Sequence, residues 1–107
     1  MELRHLRYFM TVAQEQSFTK AAEKLYTAQP SLSQQIKDLE HEVGVALFDR
    51  TTRKVILTDE GLAFQKYAEL TLENAKQAIA AARQVAQQKN NQIQYNIKMG
   101  ISMGIFP

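Results

Sequence analysis

The sequence lacks cysteine altogether, which excludes disulfide bonds and thiolate metal sites and is typical of proteins from a reducing cytoplasm. The two histidines, His5 and His41, lie too far apart in sequence to give metal-ligand spacing. No apolar run approaches the ~20 residues that span a bilayer, and the opening residues interleave charges with apolar side chains, unlike an export signal. We therefore expect a cytoplasmic protein with no metal, no cofactor and no membrane association.

An excess of either charge is also missing. The 13 basic and 11 acidic residues give a net charge of only +2, which permits a nucleic-acid partner without requiring one. The positions of the basic residues are more informative than their number, because several fall in or near one candidate binding surface: Lys20, Lys24, Lys37, Arg50, Arg53 and Lys54. A chain of 107 residues is long enough for one small domain with an extended arm.

Residues 18–37, FTKAAEKLYTAQPSLSQQIK, form the segment around which the rest of the chain is organised. Apolar residues recur at helical spacing on both sides of the interruption Thr27-Ala28-Gln29, which predicts two short helices joined by a tight turn. Pro30 suits the first position of the second helix, because the N–H that it lacks is not needed there. The apolar face of that second helix would contain Leu32, Ile36, Leu39 and Val43.

Burial of this apolar face would turn the opposite face of the second helix outward. That face presents hydrogen-bonding groups and one cation, with no carboxylate before Asp38, at Ser31, Ser33, Gln34 and Lys37. A helix that enters the major groove of DNA requires such a surface. A simpler alternative is that Ser31 and Gln34 form a capping box and only help to start the helix.

Further helical signals frame this pair. A stripe at helical spacing predicts a first helix from Leu3 to about Glu15, with apolar residues at Leu6, Phe9, Met10 and Ala13. Ser17 is a suitable N-cap for the helix that begins near Phe18. Gly44 is expected to end the longer helix in a left-handed conformation.

Residues 46–57 are predicted to form a β-hairpin wing. Two short apolar runs, at residues 45–48 and 55–57, flank the polar and basic segment DRTTRK. Three helices and this hairpin give a mainly α fold, a winged helix-turn-helix domain over residues 1–58. The hairpin tip would carry Arg50, Arg53 and Lys54 toward phosphates or the adjoining minor groove, although a solvated turn is the simpler alternative.

The segment after the hairpin predicts a long helix over residues 59–88. Thr58 is a suitable N-cap, Asp59 and Glu60 follow it, and no proline interrupts the segment. Residues spaced alternately by four and three form the seam of a coiled coil, at Ala68, Leu72, Ala75, Ile79, Ala82 and Ala86. The expected partner is the same helix in a second subunit, and packing of the stripe within one chain is the alternative.

The last part of the chain, residues 89–107, is expected to contain a hinge and the start of another domain. Residues 89–92 (KNNQ) are polar and interrupt the apolar stripe, and residues 93–101 alternate loosely as in a β-strand. A lone strand is not stable by itself, so we expect a further domain to follow.

Three motifs in order, SFTKAAEKL, AQPSLSQQIKDLE and GVALFDRTTRKVILTDEG, resemble the DNA-binding domain of LysR-type transcriptional regulators. The resemblance runs from about residue 3 to residue 88, and NIKMGIS resembles the first strand of the family's effector-binding domain. It implies a sequence-specific regulator that binds an inverted-repeat operator on double-stranded DNA. It also implies a homodimer through antiparallel linker helices, a homotetramer at full length, and a small-molecule effector bound by the absent domain. The opening MELRHLRYF is most similar to members that control degradation of aromatic compounds, which implies an aromatic effector.

The resemblance also implies individual site residues. Those that match the reading-helix contacts are Gln29, Pro30, Ser31, Ser33, Gln34 and Lys37. Those that match the wing are Arg50, Thr52 and Arg53, and Thr19 and Lys20 are expected to approach phosphates. Most members have arginine where this chain has Gln34. Because glutamine pairs with adenine whereas arginine prefers guanine, the base preference at this position is open.

The residues also bear on two other classes of function. An enzyme is rejected, because Ser31 and Ser33 have no neighbouring base and the adjacent Asp59 and Glu60 point in different directions. The alternative from another class is a winged-helix and coiled-coil module that docks protein rather than DNA. Affinity for duplex DNA that falls steeply with added salt would distinguish the regulator from this module.

Overall fold

The structure, a computed structural model, describes the backbone of residues 1–98 and the side chains of residues 1–91. Within residues 1–98 the order of elements is α1 (Leu3–Glu15), α2 (Phe18–Lys24), α3 (Gln29–Val43), β1 (Phe48–Asp49), β2 (Ile56–Leu57) and α4 (Asp59–Lys98). The described chain divides into two compact units, the first of residues 1–73 and the second beginning at residue 74. The first unit contains α1 to α3, the hairpin and the start of α4. The predicted mainly α, winged helix-turn-helix fold is therefore confirmed.

The core of the first unit is built mainly from the predicted apolar stripes, but Val43, the last residue of α3, is 40% exposed, so its predicted burial is wrong. Phe9 of α1 is fully buried, and its ring centroid lies 5.1 Å from that of Phe48 in β1 and 4.9 Å from that of Phe64 in α4. Tilted and edge-on aromatic pairs at these distances add stability beyond the area that they bury. The other large side chains that are fully buried are Val12, Leu32, Ile36 and Leu47. Phe9 thus connects the helices of the domain to its hairpin.

The ends of the short helices are fixed by caps. The Ser17 hydroxyl accepts a hydrogen bond of 3.1 Å from the backbone N–H three residues later, which confirms Ser17 as the N-cap of α2. Gly44, with φ of 90°, ends α3 in the predicted left-handed conformation. At the start of α3, the alternative of a capping box at Ser31 and the predicted position of Pro30 are both wrong. Ala28 is its N-cap, so Ser31 does not open a capping box. Pro30 is the second helical residue, and proline is tolerated there too because the N–H groups of a first turn have no partner within the helix.

The hairpin is confirmed, with shorter strands than the apolar runs indicated. Its antiparallel pairs are Phe48 with Leu57 and Asp49 with Ile56. The backbone N–H of Val55 donates to the carbonyl oxygen of Gln16 at 3.1 Å. This hydrogen bond attaches the hairpin to the C-terminal end of α1.

The start of α4 is held tightly against the segment before the hairpin. The Thr58 hydroxyl accepts a hydrogen bond from Gly61 N at 2.9 Å, as predicted for an N-cap, and donates to Ala46 O at 2.8 Å. A Cβ atom at Gly61 would lie 2.0 Å from the carbonyl oxygen of Leu47. No side chain fits in that space, so this approach requires glycine. The next turns of α4 continue against the same core through Phe64, Ala68 and Leu72.

Helix α4 extends further than predicted. Residues 89–92 are helical, so the hinge predicted there is wrong, and the strand predicted from residue 93 is wrong as far as residue 98. The segment 89–98 contains no glycine or proline, Asn and Gln lower helix propensity only moderately, and extending an existing helix needs no new nucleation. Residues 99–107 lie outside the described residues. Neither α4 nor another helix in the described part of the chain has the length and apolar character needed to cross a membrane.

Candidate nucleic-acid interface

Six residues near the front of α3 form a surface that we call the reading front: Gln29, Pro30, Ser31, Ser33, Gln34 and Lys37. All of them are exposed except Ser33, which is half-buried. Leu32 and Ile36, on the other face of the helix, are fully buried. The predicted orientation of α3 is therefore confirmed, and contact between the reading front and DNA stays a prediction.

The side-chain amide of Gln34 is held by a neighbour on the same helix. Its Nε2 donates to Oδ1 of Asp38 at 2.9 Å, about one turn further along α3. One N–H and the carbonyl oxygen of the amide remain available, and these are the groups that pair with N7 and N6 of adenine. Asp38 therefore orients Gln34 without occupying the donor and acceptor that base reading needs.

The first turn of α2 adds two predicted phosphate contacts, Thr19 and Lys20, and both are exposed. Lys24, at the other end of α2, forms an ion pair of 3.1 Å with Glu15. Lys20 forms no ion pair with any described residue. Of these two lysines, Lys20 is the one whose charge is available to a phosphate.

Arg50, which was predicted to reach phosphates from the hairpin tip, also has partners within the domain. Its Nη1 donates to Oε1 of Glu40 at 2.9 Å, and the centre of its guanidinium lies 5.1 Å from the centroid of the Phe18 ring. The interaction of a cation with an aromatic face adds to the ion pair. The nearly buried carboxylate needs a paired charge, and this guanidinium supplies it, while contact between Arg50 and DNA stays a prediction.

The tip itself carries Thr52, Arg53 and Lys54, which are all exposed. Asp49 orders the tip, because its Oδ1 accepts hydrogen bonds from the hydroxyl and the backbone N–H of Thr51 at 2.6 Å and 2.9 Å. These two bonds, the hydroxyl's first, lower the pKa of Asp49 below its ordinary value of 3.8. The Thr52 hydroxyl donates to the Lys54 carbonyl oxygen. Arg53 and Lys54 have no ion pair among the described residues, so both charges are available to phosphates.

Glu40, which sequence reasoning passed over, joins α3 to the hairpin. This carboxylate is only 9% exposed, and its Oε2 accepts the backbone N–H groups of Leu47 at 2.7 Å and Phe48 at 3.2 Å. A signal was present: Glu40 lies four residues after Ile36, on the apolar face, where an ionised side chain needs partners. No cluster of His, Asp or Glu side chains that could hold a metal ion occurs within the part of the chain that the structure describes.

The residues of the predicted dimer seam differ in their surroundings. In the first unit, Ala68 is 3% exposed in the domain's own core, so its assignment to the seam is wrong, and the half-buried Leu72 packs against that core as well. In the second unit, Ala75 is half-buried, whereas Ile79 is 55% exposed. The remaining members, Ala82 and Ala86, are exposed. Packing within one chain therefore accounts for Ala68, and the seam stays a prediction for the second unit.

Comparison with known proteins decides the family. The profile of bacterial regulatory helix-turn-helix proteins of the lysR family matches residues 3–62. This chain belongs to the LysR family. The Hca operon transcriptional activator HcaR of Escherichia coli is 57% identical to this LysR-family chain over 88 residues, which are 82% of the chain and 30% of HcaR. The HTH-type transcriptional regulator BudR of Klebsiella aerogenes is 50% identical over 102 residues, or 95% of the chain and 68% of BudR.

A solved DNA-binding domain is also similar to this LysR-family chain. The crystal structure of the BenM DNA-binding domain with catB site 1 DNA is similar, with a TM-score of 0.77 and 52% identity over 80% of this chain and 97% of that chain. The sequence match to HcaR, by contrast, spans less than a third of HcaR. The resemblance that the three motifs carried is therefore confirmed for the winged domain.

Proposed function

We propose that this LysR-family chain is the DNA-binding and dimerisation part of a cytoplasmic transcription regulator that binds an inverted-repeat operator as a homodimer. The reading front carries the proposal. It exposes hydrogen-bonding groups and one lysine on a helix whose other face is buried, with no carboxylate before Asp38. The similarity to the BenM domain, whose crystal structure contains catB site 1 DNA, supports it.

In the proposed complex, α3 enters the major groove and its N-terminal residues face the base edges. Gln34, oriented by Asp38, would pair with an adenine, and the hydroxyls of Ser31 and Ser33 would exchange hydrogen bonds with base edges or phosphates. The cations of the hairpin tip would bind phosphates or the adjoining minor groove. These phosphate contacts would position the domain, whereas the contacts of the reading front would select the sequence.

The two-fold symmetry of an inverted repeat calls for two copies of the winged domain, residues 1–58, each on one half-site. The seam of the second unit, from the half-buried Ala75 to the exposed Ala86, would join the copies. At full length we propose a homotetramer whose further domain binds a small-molecule effector. The similarity of the opening residues to regulators of aromatic degradation favours an aromatic effector. The relatives are transcription regulators, and we propose no catalytic activity.

Binding of the chain to a labelled duplex from upstream of its own gene, measured at several salt concentrations, tests this proposal. We expect the affinity to fall steeply with salt, because each neutralised phosphate releases a counterion. Arg53→Ala should weaken binding to all duplexes and flatten the salt dependence, by about one unit of the logarithmic slope for each of the two half-sites. Gln34→Ala should instead change the preference at one base pair, by about 1–3 kcal/mol.

A footprint on the same upstream DNA would give the half-site spacing directly. The control for Arg53→Ala and Gln34→Ala is Glu42→Gln, which changes an exposed charge at the far end of α3, outside the reading front. Absence of duplex binding at low salt would contradict the proposal and favour a module that docks protein. Unchanged binding by both Arg53→Ala and Gln34→Ala would show that the surface is wrongly assigned.

A further inference from the structure

The turn between α2 and α3 contains a tyrosine in an unusual backbone conformation. Tyr26 has φ of 55°, in the left-handed region that side chains with a Cβ rarely adopt. Its N–H donates to Glu23 O at 3.2 Å, and the next N–H, that of Thr27, donates to Ala22 O at 3.0 Å. These two hydrogen bonds end α2 in a Schellman motif, whose left-handed position is most often glycine.

The side chain of Tyr26 does nothing for the fold that would explain its presence. It is 96% exposed, so it buries almost no apolar surface and makes no packing contact of note. The left-handed position at the end of α3 is occupied by Gly44, and the one at the end of α1 by Gln16, whose carbonyl oxygen accepts a hydrogen bond from the Val55 N–H. Tyr26 therefore carries conformational strain that packing of its side chain does not offset, and strained residues of this kind concentrate at binding sites.

The position of Tyr26 points to what it contacts. It lies three residues before Gln29, the first residue of the reading front, in the turn that leads into the groove-facing end of α3. In helix-turn-helix docking, the first helix of the pair crosses the sugar–phosphate backbone and the second enters the groove. A side chain from the turn between them is placed beside the strand that borders the groove. The phenol hydroxyl of tyrosine donates to phosphate oxygens at such places.

We propose that Tyr26 is a further DNA-contacting residue, whose phenol donates a hydrogen bond to a phosphate oxygen beside the groove that α3 enters. This inference rests on the proposed function and adds a contact to it. The phenol is uncharged, so it neutralises no phosphate and releases no counterion. Its contribution must therefore differ from that of Arg53: it strengthens binding to every sequence and leaves the salt dependence unchanged.

The test compares Tyr26→Phe with the wild-type chain on the upstream duplex and on an unrelated duplex of equal length, at several salt concentrations. The dimer loses one hydroxyl on each half-site, so binding to both duplexes should weaken about fivefold per half-site, or about 25-fold in all, with the same slope against salt. Tyr67→Phe is the matched control, because it removes the same hydroxyl from an exposed tyrosine of α4, outside the reading front, and should bind as the wild type does.

Tyr26→Gly separates the role of the side chain from that of the fold. Glycine adopts the left-handed conformation without strain, so the urea midpoint should equal or exceed that of the wild type while DNA affinity falls. A marked fall in the midpoint would show that the side chain supports the fold, and would overturn the inference. So would unchanged affinity of both Tyr26 variants, or a loss confined to one duplex sequence. If the wild-type chain binds no duplex at all, the proposed function itself fails.

Discussion

At the scale of single residues, Glu40 shows how a charge on an apolar face holds two elements together. Its two carboxylate oxygens accept three hydrogen bonds, from Leu47 N, Phe48 N and Arg50 Nη1, at 2.7, 3.2 and 2.9 Å. The first two satisfy backbone groups that would otherwise be buried without partners at the start of β1. The third compensates the negative charge. Removing the charge therefore disturbs all three contacts together.

We predict that Glu40→Gln destabilises the domain by about 2 kcal/mol, because the amide can accept from the backbone but then turns its NH₂ group toward the Arg50 guanidinium. Urea unfolding followed by circular dichroism measures the change. Glu42→Gln is the control: Glu42 pairs with the N-terminal amine at 2.9 Å, but its side chain is 54% exposed, so the loss should stay below about 1 kcal/mol. Equal stability of the two variants would refute the role assigned to Glu40.

At the scale of elements, the hairpin depends on its neighbours for its position. Each strand contains only two residues, and a two-stranded hairpin is at best marginally stable alone. The Val55–Gln16 hydrogen bond attaches it to α1, Glu40 attaches it to α3, and the close approach of Gly61 to Leu47 attaches the preceding segment to α4. The cations of the tip are therefore presented by a hairpin that three helices position.

The close approach at the start of α4 gives a prediction at this scale. Gly61→Ala places a Cβ 2.0 Å from the Leu47 carbonyl oxygen, so the helix must move, and we expect a loss of about 3 kcal/mol or more in unfolding free energy. Gly44→Ala is the comparison. A Cβ atom at Gly44 would have no other atom within 4 Å, but φ is 90° there. This variant should therefore lose about 1–2 kcal/mol of unfolding free energy through backbone strain alone. Thermal or urea unfolding of the two variants measures the difference, and a smaller loss for Gly61→Ala would contradict this account of the contact.

The elements that the sequence predicted correctly are those decided by local rules. The stripe around Phe9, the cap at Ser17 and the glycine stop at Gly44 follow from helical periodicity and backbone preference, and all three were found. The outward direction of the reading front follows from the burial of its other face. Where distant parts of the chain meet, local rules were insufficient: nothing near Arg50 in sequence shows that Glu40 holds it. Ala68 fits a coiled-coil stripe equally well whether its partner is another chain or, as found, the domain's own core.

At the scale of the whole molecule, the proposed function requires two chains. One winged domain reads only one half-site, and the affinity of a dimer for an inverted repeat exceeds that of one domain because the second domain binds within the same complex. Within the second unit, Ile79 is the large apolar side chain of the proposed seam, and it is 55% exposed in the single chain. Alanines before and after it would allow a partner helix to approach closely. Ile79 is therefore the largest apolar side chain that the proposed seam of the second unit offers to a partner.

We predict that Ile79→Glu converts the dimer to a monomer at micromolar concentration, because two carboxylates would be placed near each other in a desolvated contact. Sedimentation velocity measures the change, and duplex affinity should fall at least tenfold on an inverted repeat but little on a single half-site. Ala81→Glu is the control, since it adds the same charge to an exposed position two residues away, off the seam. The unfolding midpoint of the winged domain should be unchanged in both variants, because Ile79 belongs to the other compact unit. A dimer that persists in Ile79→Glu, or dissociates equally in Ala81→Glu, would place the contact between subunits on a different face of α4.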